Sequence, residues 1–350
     1  MEKHRQKGAD RIIEKMEESN PLVRLIKKFQ KGTRPVTLMG PFLPLVRLKE
    51  RGLPFNDTLR DSQAMTEAAL MSFEFGFEST VLPFDLNVEA EMLGARVRYH
   101  DGFDGNPVYP TIADKPFTPE DDIEIPDALA EKGRMPAILK TIGTLKERAR
   151  DKGAVGVFIP GPFTLAGQVL DMDALYLMLL KQPEKTLRLF EQLTTFINQV
   201  IDLYIRAGAD FMIVVEGGGA SIAPKTFRKL LLPSMQEILK PKKMPRVTFF
   251  FGNSREIIEF MLACDPDGIL LDKECDIEKT RGLIPEAMPL FGGCGSFDML
   301  ANATPEEITD KVHRCLDLGF TTVCPPADVY PPAKIKNIEA FVTALLEYEK

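Results

Sequence analysis

Four carboxyl side chains in this 350-residue chain, Asp85, Glu89, Glu216 and Asp272, fall at or just beyond the ends of short apolar runs. Burial among apolar groups penalises the anion, so a carboxyl placed there is held protonated and can donate to a departing oxygen. Glu216, in VVEGGG, is the first choice for such an acid, because the three glycines after it leave the carboxyl little cover. The competing reading of each is a helix cap or a structural ion pair. A second chemistry is metal binding, for which Glu74, Glu89, Glu91 and His100 lie around the run 79–84 and the segment after it. Glu89 and Glu91 face opposite ways in a strand but not in a helix, so their convergence stays open. His4 and His313 read as solvent-facing. The five cysteines, Cys264, Cys275, Cys294, Cys315 and Cys324, are odd in number and form no CxxC or CxxH pair. That argues against a disulfide framework or a zinc finger and for reduced thiols in or near strands.

The elements that must position these groups are legible as an alternation. Short apolar runs at 36–39, 79–84, 155–159, 211–215, 246–251, 268–271, 288–291 and 320–324 are separated by helical patterns at 62–75, 137–150, 174–206, 225–240, 254–263 and 305–318. Continuous apolar strands between helices predict a parallel sheet buried on both faces. Eight of them predict closure into a (β/α)8 (TIM) barrel, an α/β fold. An open doubly wound sheet is the alternative, disfavoured because no Gly-rich dinucleotide fingerprint follows the first run. Residues 1–30 read as an N-terminal helical extension, residues 31–350 as one barrel domain, and 95–135, rich in Pro and Asp, as an excursion over one face. In such a barrel the chemistry sits where strands end. There stand Met39 and Phe42 after the first run, Phe163 after the third, and Phe249, Phe251 and Asn253 at the fifth, all readable as substrate-contacting or as ordinary packing.

Composition bounds the partners. A formal charge of −7 argues against a nucleic-acid binder. No apolar run reaches the ~18 residues that would cross a bilayer, and the charged N-terminus is unlike a secretory signal. The expectation is a cytoplasmic protein with no membrane partner.

The segments PFDLNVEAEMLG (83–94), GPFTLAGQVL (161–170) and ATPEEI (303–308) resemble the uroporphyrinogen decarboxylase superfamily. Within it they are most similar to the cobamide-dependent methyltransferase branch, which includes methylcobamide:coenzyme M methyltransferases and O-demethylase methyltransferases. The resemblance runs from about residue 34 to the C-terminus and implies the barrel already read from the pattern. Asp85 matches the decarboxylases' functional aspartate. Their Arg-rich motif, which holds substrate carboxylates, is replaced here by MGPFLPLVR (39–47) with one Arg at its far end, which disfavours decarboxylation. The coenzyme M branch binds zinc through His-x-Cys-Gly-Asn and a later Cys. The matching stretch here is Phe249-Phe250-Phe251-Gly252-Asn253, and the later position falls on Ala327, so the usual zinc site is lost and any zinc would sit at the relocated set.

The resemblance, with an apolar wall in place of the ligands, implies a methyltransferase that moves a methyl group from a methoxylated, aromatic compound to the Co(I) corrinoid of a partner protein. No corrinoid-binding segment of the DxHxxG type occurs in the chain, so the corrinoid would be supplied by that partner, docked over the barrel mouth. Two alternatives are a methylated-corrinoid-protein:carrier methyltransferase, with a thiol or pterin carrier, and a non-catalytic barrel that binds a corrinoid protein or tetrapyrrole. The oligomeric state is not legible.

Overall fold

Strands buried on both faces must be covered by helices on one side and must meet one another on the other, and the chain does both. The structure, a computed structural model, describes residues 20–29, 35, 43–102, 107–217, 221–272, 275–293, 298–324 and 332–348. The strands are β1 (Ser79–Leu82), β2 (Arg96–Arg98), β3 (Thr111–Asp114), β4 (Ala154–Pro160), β5 (Phe211–Glu216), β6 (Arg246–Phe250), β7 (Gly268–Leu271), β8 (Leu290–Gly293) and β9 (Thr322–Cys324). Seven of them form one parallel sheet in the order β1-β4-β5-β6-β7-β8-β9. Neighbours in the sheet follow the chain without the reversal that marks a doubly wound sheet. This is the winding of a (β/α)8 barrel. The run 36–39, expected as a further strand, lies outside the described residues.

Most expected helices form: Ser62–Glu74, Met135–Ala149 and Pro305–Asp317 among them. The pattern at 174–206 is two helices, Met172–Lys181 and Pro183–Ala207. Pro183 lacks the N–H and crowds the preceding turn, so the helix restarts there. The strand expected at 288–291 lies two residues later, because Pro289 cannot donate to the ladder, whereas Gly292 and Gly293 pair with Val323 and Cys324. The excursion carries its own antiparallel pair, β2 with β3. It is then tied down by Lys115 Nζ on the Gly167 carbonyl (2.7 Å) and by Phe117 N–H on the Val169 carbonyl (3.1 Å).

Alternation along β6 separates the two faces of the sheet. Phe250 packs on Phe227, which stacks on Phe260 (centroids 5.5 and 5.4 Å), and both partners lie in helical segments. Phe249 and Phe251, whose rings meet, therefore face inward, into the barrel, as do Val215 and Leu270, the register partners of Phe249. At the opposite end, helix Pro21–Phe29 closes the strand starts. Asn20 caps this helix through Oδ1 on Leu22 N–H (2.8 Å) and donates Nδ2 to the Asp267 carbonyl (2.9 Å), just before β7. Leu22 fills the space beside Gly268, where a Cβ would come within 2.5 Å of its methyl.

Candidate functional site

Glu216 ends β5, and its register partner is Phe250, so its side chain turns toward the helical layer and not into the barrel. Helix Pro162–Val169 begins there, presenting the unsatisfied N–H groups of a helix start. One carboxylate oxygen accepts Phe163 N–H (3.0 Å), and the other accepts Thr164 N–H (3.1 Å) and the Thr164 hydroxyl (2.9 Å). That hydroxyl in turn accepts Gly217 N–H (2.7 Å). Gly161 is glycine because a Cβ there would lie 2.3 Å from the Glu216 carboxylate. The expectation of light cover is thus corrected: Glu216 is fully buried and accepts hydrogen bonds at both oxygens, which ties the end of β5 to the start of this helix.

Asp85 is held in an ion pair, the competing reading of these carboxyls. Arg134 grips it through two bonds, Nη1 to Oδ2 at 2.6 Å and Nη2 to Oδ1 at 2.9 Å, and Asn87 N–H adds a third at 2.9 Å. Arg134 also donates to Glu91 (2.8 Å) and to the Leu59 carbonyl (3.0 Å), and its guanidinium lies 5.7 Å from the Tyr99 ring centre. Arg60 approaches the same ring at 4.6 Å. Both ends of the Asp85–Arg134 pair are buried, and the pair joins the loop after β1 to the start of helix Met135–Ala149.

Glu89 is the carboxyl whose environment favours a proton. It is fully buried on the short helix Val88–Met92, and burial pushes it up to about 7, with Asp85 adding to the rise. The Tyr204 hydroxyl donates to its Oε1 (3.1 Å), whereas Oε2 has no hydrogen-bond partner among the described residues. Tyr204 belongs to the covering helix Pro183–Ala207, and burial raises its own ionisation well above the ordinary tyrosine value.

The relocated metal set does not assemble. Glu74 pairs with Arg51 at the surface, Glu91 with Arg134, and Glu89 with Tyr204, while His100 Nε2 meets Thr111 Oγ1 at 3.0 Å. Among the described residues no three His, Cys, Asp or Glu side chains form a group that could hold a metal. The expectation fails because each carboxylate already has a nearer partner.

The inner face of the sheet gathers the rest. Phe249 is buried and Phe251 half-buried, with ring centroids 4.7 Å apart and planes at 54°. Asp272 follows directly on β7, the neighbouring strand; it is 8% exposed, and its backbone carbonyl accepts Cys275 N–H (3.0 Å). Cys324 ends β9, and burial pushes its thiol up to about 12, so it stays protonated. Zinc at the family's usual place would need His and Cys where these phenyl rings stand, and the residues do not fit it. The third position, Ala327, lies outside the described residues, as do Met39 and Phe42.

Phe163 is less a strand-end surface than expected, since its ring packs on Tyr176 (6.0 Å). Asn253 is exposed and its Oδ1 accepts Arg255 N–H (3.3 Å), holding its own turn, with Gly252 at φ +80° before it. Behind that turn Ser254 Oγ and Cys275 Sγ meet at 3.2 Å, linking the loops after β6 and β7. Arg134, Tyr204 and Thr164 do not stand out from the sequence. Thr164 lies inside the quoted GPFTLAG, and its hydroxyl next to a helix start was the available signal. Arg134 carried none, since an arginine in a polar excursion looks like solvent.

Comparison with known proteins converges on one family. A family model described as uroporphyrinogen decarboxylase (URO-D) matches residues 17–348. The methylated-thiol–coenzyme M methyltransferase of Methanosarcina mazei is 25% identical over 290 residues, covering 82% of this chain and 77% of that protein. The methylcobamide:CoM methyltransferase MtaA of Methanosarcina barkeri is 23% identical over 310 residues, covering 86% and 89%. A solved structure of a methyltransferase from Methanosarcina mazei superposes with a TM-score of 0.85 at 20% identity, over 94% of this chain and 98% of that one. This likeness establishes the barrel fold.

Proposed function

The chain belongs to the uroporphyrinogen decarboxylase family, and from that premise we propose that it is a methyltransferase working with a corrinoid-bearing partner protein. The observation that carries the reading is the Phe249–Phe251 pair on the inner face of β6, in a chain whose similar proteins are named for methyl transfer from thiols and cobamides. The partner's reduced corrinoid would be the methyl acceptor. This chain's part is to seat the donor in the barrel mouth, orient its methyl group outward and keep water from it.

Two donor chemistries suit a wall of phenyl rings. A methoxylated aromatic ring would stack on Phe249 and Phe251, gaining ~0.5–1.5 kcal/mol beyond its buried area. A methylated cation would be attracted by the ring faces. They differ in what must happen to the leaving group. The reverse direction, from a methylated corrinoid protein to a thiol, is favoured by the names of the similar proteins. The loss of the zinc ligands counts against it, because zinc is what makes an acceptor thiol a good nucleophile there.

The test is an anaerobic single turnover. The protein is mixed with cob(I)alamin and a methylated donor, and the visible spectrum is followed from cob(I)alamin to methylcobalamin. Methylation that depends on the protein is the expected result. Demethylation of methylcobalamin by a thiol, with no forward transfer, would reverse the direction. Silence both ways with a corrinoid protein as well as with free cobalamin would leave a barrel that binds without turnover.

A further inference from the structure

Within the methyl-transfer reading, on which this inference rests, the open question is what leaves the donor. A methyl group on oxygen leaves an alkoxide or phenolate behind, which departs poorly without a proton or a Lewis acid. A methyl group on a sulfonium or quaternary ammonium centre leaves a neutral thioether or amine, which needs neither.

Among the described residues, the strand ends suit the second case. Phe249 and Phe251 stand where the coenzyme M branch carries metal ligands, and phenyl rings hold no Lewis acid. Glu216 and Asp85, the carboxyls expected as proton donors, accept hydrogen bonds at both oxygens. Glu89 is enclosed against Tyr204 of the covering helix. What the inner face does hold is two phenyl rings 4.7 Å apart, and Asp272 follows the end of the neighbouring strand β7. Ring faces attract onium cations through the quadrupole, and a carboxylate one strand away supplies the opposite charge.

We infer that the methyl donor is an onium cation, a sulfonium or a quaternary ammonium compound, seated on Phe249 and Phe251 with Asp272 as its counter-charge. In the transfer the carbon–sulfur or carbon–nitrogen bond breaks and its electron pair stays on the heteroatom, cancelling the positive charge. The new carbon–cobalt bond forms from the electron pair of the partner's Co(I) corrinoid. No proton enters or leaves, so the reaction asks for no acid at the site.

Binding separates charge from shape without any corrinoid. Choline and 3,3-dimethyl-1-butanol share an outline and differ in the cationic centre. By calorimetry on the full chain, choline is expected to bind at least about tenfold more tightly. Phe251→Leu keeps apolar bulk and should remove most of that preference, and Asp272→Asn should weaken choline while leaving the alcohol alone, both with unchanged circular dichroism. Equal affinity for the two compounds overturns the inference. Transfer then separates it from the wider reading. Protein-dependent methylation of cob(I)alamin by tetramethylammonium or trimethylsulfonium, and not by 2-methoxyphenol, supports the onium donor. Methylation by 2-methoxyphenol alone overturns it and leaves methyl transfer standing. Selective choline binding with no transfer from any donor overturns the methyl-transfer reading, and the donor role with it.

Discussion

Two buried arginine–aspartate pairs brace this barrel, one at each end of the sheet, and their neighbourhoods differ. Arg246 opens β6 and grips Asp267 just before β7, with Nε and Nη2 at 2.7 and 2.9 Å and the Arg246 N–H at 2.8 Å. Arg246 also reaches the Leu239 carbonyl, so the pair is closed by backbone on every side that shows a bond. Asp85 and Arg134 repeat the bidentate geometry beyond β1, yet around them lie Glu91, the Tyr99 ring, and Glu89 with one oxygen unpartnered among the described residues. The same two residue types therefore serve a sealed joint at the strand starts and a polar cluster beyond the strand ends. Strand starts of a barrel carry stability and strand ends carry chemistry, and the company kept by each pair follows that division.

The contrast breaks or sharpens under substitution. Asp267→Asn should cost about 3–5 kcal/mol in denaturant unfolding, because it strands a buried guanidinium. Asp85→Asn should cost less, roughly 2–3 kcal/mol, since Arg134 keeps Glu91 and the Leu59 carbonyl. Equal losses would mean that the two ends are braced alike. The second test uses pH. Glu89 is raised from 4.5 to about 7, so between those values the folded chain holds a proton that the unfolded chain releases. That stabilisation is complete below about pH 4.5 and is lost as pH rises through 7, by roughly 3 kcal/mol in all. Glu89→Gln should flatten this slope across the window, and an unchanged slope would show that Glu89 is not its source. The smallest effect belongs to Thr164→Val, about 1–2 kcal/mol by thermal or denaturant unfolding, from Gly217 N–H losing its acceptor and Glu216 one donor. A larger loss would move the clamp from a trim to a structural keystone.

The fold was legible because its signal is repeated. Seven apolar runs at 79–84 through 320–324 each coincide at least in part with a strand of the parallel sheet. What failed locally failed at prolines, Pro183 splitting one helix and Pro289 delaying one strand. The candidate site was legible in its residue types and not in their roles. The glycines after Glu216 imply thin cover, but its cover comes from residues 163 and 164, on a different strand-to-helix turn. The ion pair of Asp85 leaves no mark in the sequence, because Arg134, its partner, is 49 positions away. Periodicity reports on the neighbours along an element, and hydrogen bonds between loops leave no period to find.

The Thr164 hydroxyl, which takes a hydrogen bond from Gly217 and gives one to Glu216, has no proton left for a third partner. The turns after β4 and β5 thereby share one latch. A molecule that pushes on Thr164 or on Gly217 must carry the other with it or break the latch, so these two residues move as one part. Amide exchange would then report matched protection for Thr164 and Gly217, the fingerprint of a jointed rim in place of two independent loops.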